Sequence, residues 1–168
     1  MKFELTILGC GGAIPTLDKN PTSQYLNVQD RHFLIDCGEG SQIQLRKYKC
    51  KFSKIEHIFI SHLHGDHFLG LFGYLSTLSL LGRTSPINIY APKDLMILIN
   101  AHNEISGKIY NFDLNFKALD FNKPTILFED NILEIYSFPV NHSVPCCGFL
   151  FKEKLSPRNI IKEKIKDL

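Results

Sequence analysis

Residues 55–82, IEHIFISHLHGDHFLGLFGYLSTLSLLG, join an apolar extended run to an apolar segment too long for a strand, with His62, His64, Asp66 and His67 in the short turn between them. A chain carrying this stretch has to bury both flanks yet keep the turn at the edge of its core, because four polar groups are costly to bury without partners. The pattern predicts a strand over 55–61 and a buried helix over 68–82. His62 and His64 stand two apart at the end of an extended segment, which aims both imidazoles to one side. Gly65 lets the backbone turn, so that Asp66 and His67 can point to a second, adjoining position. Imidazole and carboxylate donors suit zinc, and a metal pair about 3.5–4 Å apart is a common device for hydrolysing phosphate esters. His142, in FPVNHSVPCCGF, is the partner expected to complete the first position. His32, His57 and His102 lie at no ligand spacing and read as structural or solvent-exposed.

The rest of the chain predicts mixed strands and helices. KFELTIL (2–8) alternates like a strand and runs into the glycine-rich turn GCGGAIP, followed by strands QYLNV and HFLID joined around Asp30. A helix is expected over 38–49, a strand over 86–92, and a helix over 93–107 closed by Gly107. Strand patterns follow over 111–119, 125–130, 131–140 and 147–153, with Asp130-Asn131 as a hairpin turn. Ser156 and Pro157 then open a last helix running to 168. This order predicts an α/β layer structure, one sheet covered by helices on one face, with little chain left to cover the other.

At 168 residues, 44% of them hydrophobic and 21% charged, the chain can bury a core and is of one-domain size. A net charge of +2 gives no whole-molecule argument for nucleic acid or an anionic membrane. The five cysteines form no C-x-x-C pair and no disulfide framework, as expected of a reduced, cytoplasmic protein. No window is apolar for long enough to span a membrane. Between Lys152 and Leu168 six basic residues face three acidic ones, which reads as a solvated helix face.

SHLHGDH carries the H-x-H-x-D-H signature of the metallo-β-lactamase superfamily, and LGCGGAIPT, DCGEGSQIQL, LLGRTSPINIYAP and NHSVPCCGFLF make the chain similar to one branch of it, ribonuclease Z, the tRNA 3′-processing endonuclease. The resemblance implies the N-terminal half of a metallo-β-lactamase-like αβ/βα sandwich, residues 1–155, with 156–168 leading toward a tRNA-binding arm. It implies two zinc ions: His62, His64 and His142 on the first, Asp66 and His67 on the second, and Asp66 also as the proton acceptor that activates water. Asp36 would stand behind the ligands and accept a histidine N–H. The substrate implied is precursor tRNA, cut to leave a 3′-hydroxyl, by a homodimer in the cytoplasm without membrane attachment. The family's pattern continues past His142 with an arm, a bridging aspartate and a final histidine, whereas this sequence has there only Asp167 and no histidine. The expectation is a truncated form that holds about one zinc, exposes an apolar sheet face and cleaves precursor tRNA poorly. Two alternatives are another hydrolase of the same fold acting on small esters or thioesters, and a non-catalytic metal-binding fragment.

Overall fold

The computed structural model describes residues 2–107 and 109–155. The elements run β1 (Phe3–Gly9), β2 (Ser23–Val28), β3 (Arg31–Cys37), α1 (Ser41–Lys47), β4 (Ile55–Phe59), α2 (Gly65–Phe68), α3 (Gly70–Leu80), β5 (Ile87–Ala91), α4 (Asp94–Ser106), β6 (Leu114–Ala118), β7 (Thr125–Glu129), β8 (Leu133–Val140) and β9 (Cys146–Glu153). β1 to β6 form one sheet in sequence order, antiparallel from β1 to β3 and parallel from β3 to β6. The parallel part alternates with helices, since a parallel neighbour needs a crossover connection. β7 to β9 form a second, antiparallel sheet.

Adjacent side chains of a strand point to opposite faces, and the parallel strands are apolar on both. Leu34, Ile58 and Ile89 pack with Leu45 of α1, Leu71 and Leu75 of α3 and Leu95 of α4. Their neighbours Phe33, Phe59 and Tyr90 pack instead against Leu127, Leu133 and Ile135 of the second sheet. This corrects the expectation of a single sheet with one bare face: the strands after Leu119 fold back as a second layer. Period-2 patterns identify strands but do not say which sheet each joins. The β1 margin is exposed, with Phe3, Leu5 and Ile7 at 48%, 53% and 48%.

The helix expected over 68–82 begins earlier, at Gly65 inside the donor-rich turn, and is interrupted at Leu69. Just past the interruption Gly70 packs closely on the turn after β3: a Cβ on it would overlap the carbonyl oxygen of Gly38. α3 buries Leu71, Tyr74, Leu75 and Leu78, while Leu80 and Leu81 at its end face solvent. Gly107, with φ 74°, ends α4 as its sequence predicts. The helix expected from Ser156 onward lies outside the described residues.

Candidate metal centre

The donor-rich turn leaves the carboxyl end of β4, the end of a parallel sheet where ligands commonly bind. β3 delivers Asp36 beside it, and the β8–β9 loop brings His142 across from the second sheet. Donor atoms of His62, His64 and His142 lie within 4.8 Å of one another. His62 Nε2 is 3.0 Å from His64 Nδ1, and His142 Nε2 is 3.3 Å from that same nitrogen. Tetrahedral zinc with its usual nitrogen bonds sets ligand nitrogens about 3.3 Å apart, so these three donors fit one such ion.

Asp66 and His67 stand beside this triad but outside it. The Asp66 carboxylate accepts the Ala13 N–H at 2.8 Å, which gives the glycine-rich turn after β1 a place in the site. His67 Nε2 lies 3.6 Å from Asp66 Oδ2, and its Nδ1 lies 2.8 Å from Asp36 Oδ2. Gly38, in DCGEG, is required here: a Cβ would run into the carbonyl oxygen of Asp66. The turn after β3 is therefore the seat on which the donor turn rests. Asp36 is 4% exposed and has a φ of 54°, a left-handed conformation that aspartate tolerates better than most residues.

Charge is unevenly distributed over the site. Burial, reinforced by the neighbouring His67, His64 and His142, pulls His62 down to about 4, so it presents a neutral imidazole. Burial also works against a charge on His67, yet the hydrogen bond and charge of Asp36, with Asp66 adding, raise it above the ordinary histidine value. Asp66 is disfavoured by burial but held below the usual carboxylate range by the Ala13 N–H and the His67 charge. It therefore remains an ionised acceptor. The site opens to solvent as a cavity of about 400 Å³ whose rim includes Asn141 and Cys146.

Two residues absent from the sequence reading belong here. Ser61 touches Asp36, His62 and His67 at once, and Cys146 Sγ lies 3.7 Å from His62 Nδ1. Ser61 directly precedes the first donor, the one local signal that could have drawn notice. Cys146 follows His142 by four positions in a loop, a spacing that carries no ligand signature. His57 and His32 lie elsewhere in the fold, in hydrogen bonds to Tyr90 and Tyr25, and His102 packs beside Phe72 and Tyr110.

The chain is similar to known proteins. A family model described as Anti-Pycsar protein Apyc1 matches residues 3–156. Ribonuclease Z of Bacteroides fragilis is 46% identical over 164 residues, 98% of this chain and 54% of the relative. Ribonuclease Z of Porphyromonas gingivalis is 39% identical over 160 residues, 95% of this chain and 53% of the relative. The chain thus spans about half the length of the curated relatives it matches. Among solved structures, the short form of human tRNase Z superposes with a TM-score of 0.79 at 34% identity, covering 89% of this chain and 64% of that one. The metallo-β-lactamase fold protein YhfI of Bacillus subtilis, at 20% identity and a TM-score of 0.66 over 88% of this chain and 57% of its own, shares the fold.

Proposed function

The chain belongs to the family described as Anti-Pycsar protein Apyc1 and has a metallo-β-lactamase fold, and on that premise, with its ribonuclease Z relatives, we propose that it is the metal-binding part of an endoribonuclease removing the 3′ trailer from precursor tRNA. The observation that carries this reading is the meeting of His62, His64 and His142, from two separate sheets, at one point beside an ionised Asp66. Those three residues would hold a zinc ion, which when bound supplies Lewis acidity and water acidic enough to attack near neutral pH. Asp66, anchored by the Ala13 N–H, would accept a proton. Asp36 keeps His67 turned so that its Nε2 faces the Asp66 side.

Asp66 and His67 are two donors, too few for firm binding of a second zinc, so the chain is proposed to retain about one zinc after gel filtration. Further donors and the RNA-gripping surface would come from elsewhere in a longer protein or from a partner, a homodimer included. A cytoplasmic location belongs to the same proposal. No helix among the described residues is long and apolar enough to cross a membrane.

The test presents zinc-loaded protein with a precursor tRNA, a generic phosphodiester and a thioester. Slow cleavage confined to the precursor tRNA is the expected result. Preferential cutting of the thioester or the small phosphodiester would assign a different hydrolase of this fold. Bound zinc with no turnover of any substrate would leave a non-catalytic metal-binding fragment.

A further inference from the structure

We propose that the hydroxyl of Ser61 is the positioning group that holds His62 in its metal-binding tautomer, so that one carboxylate, Asp36, orients histidines on both sides of the site. This rests on the metal reading of His62, His64 and His142. Five polar contacts converge on Asp36 and Ser61. Asp36 Oδ1 accepts the Ser61 backbone N–H at 2.8 Å, and Asp36 Oδ2 lies 3.0 Å from Ser61 Oγ and 2.8 Å from His67 Nδ1. Ser61 Oγ in turn lies 2.9 Å from His62 Nδ1. Its remaining neighbour, His67 Nδ1 at 3.3 Å, already has the closer oxygen of Asp36.

One assignment of protons satisfies all of these contacts. A carboxylate only accepts, so the Ser61 O–H and the His67 Nδ1–H both donate to Asp36. The Ser61 hydroxyl has then spent its single proton and can only accept from His62, which places the proton of that imidazole on Nδ1. The lone pair is left on Nε2, the atom that meets His64 at 3.0 Å. Were the serine to donate to His62 instead, the proton would sit on Nε2 and block a metal. Asp36 prevents this, because it would lose a donor in a place where Asp36 is 4% exposed. A second candidate partner, Cys146 Sγ, lies 3.7 Å from His62 Nδ1, and sulfur is a weak acceptor.

Zinc affinity of the full chain, measured by competition with a chromophoric chelator, tests the proposal alongside the visible spectrum of the cobalt-substituted protein and circular dichroism for folding. Ser61→Ala is expected to weaken zinc binding by about 10–100-fold, the usual consequence of losing a ligand's supporting hydrogen bond. Ser61→Thr, which keeps the hydroxyl, should restore affinity and the cobalt spectrum, and Cys146→Ala should weaken binding by clearly less than Ser61→Ala does. A variant-free measurement guards against misfolding: two-bond proton–nitrogen correlation spectra of the metal-free protein at mildly alkaline pH should show His62 protonated on Nδ1. The proposal is overturned if Ser61→Ala binds zinc as the unaltered protein does, if Cys146→Ala loses as much, or if His62 carries its proton on Nε2. Should the unaltered protein bind no zinc, the metal reading itself fails.

Discussion

His57 and His62 are both pulled down to about 4 by burial, yet only one faces the donor cluster. His57 is enclosed by Phe128, with ring centroids 4.5 Å apart, and by Phe33 and Tyr90, whose hydroxyl lies 3.1 Å from its Nδ1. A depressed value alone therefore does not mark a site; the company of the imidazole does. His57 has a consequence for stability. The unfolded chain takes up its proton near 6.5 and the folded chain only near 4, so between these values the unfolded state binds more protons. Stability must fall as pH drops through that window, by about 3 kcal/mol at most for this group. Urea midpoints recorded across the window should show the decline, and His57→Phe should flatten it, leaving the share due to His32 and His62. His67, raised by Asp36, acts with the opposite sign: its contribution is complete below the ordinary histidine value and is lost as pH rises through the raised one. Asp36→Asn keeps the left-handed backbone but swaps an acceptor for a donor against Ser61 and His67. It should lower zinc affinity by about 10–100-fold in the chelator assay.

Elements show where local pattern stops being informative. Strand β4 and the buried helix after it follow from an apolar extended run and an apolar segment too long for a strand. The seating of Gly70 against the Gly38 carbonyl does not, because it joins turns that are 32 residues apart in sequence. DCGEG and HGDHFLG are thus two halves of one packed junction, with Gly38 under Asp66 and Gly70 under Gly38. Gly70→Ala is expected to cost about 1–3 kcal/mol through overpacking against backbone that cannot rotate away. The loss should register as a lower denaturant midpoint with an unchanged slope, accompanied by weaker zinc binding as the donor turn is displaced.

At the scale of the described fold, apolar side chains of both sheets are exposed. One group is the β1 margin of Phe3, Leu5 and Ile7; the other is the outer side of the second sheet, where Ile126, Phe138, Val140 and Leu150 are 44%, 40%, 44% and 49% exposed. Between them β9, an edge strand among the described residues, runs beside a cleft of about 390 Å³ lined by Phe3, Leu5, Leu26, Phe149 and Phe151. Such surfaces predict concentration-dependent self-association. Sedimentation velocity should detect it, and Leu5→Glu with Leu150→Lys should reduce it without altering zinc affinity. The sequence by itself determined the strand and helix periods, the two-faced apolar strands and the clustering of donors over 62–67, because these properties repeat within a few residues along the chain. Only the tertiary structure decided that His142 meets His64 across 78 residues, that Ser61 links Asp36 to His62, and that β7–β9 form a second layer. Those outcomes depend on how whole elements pack and on which gaps a missing Cβ leaves open, and no local periodicity encodes either.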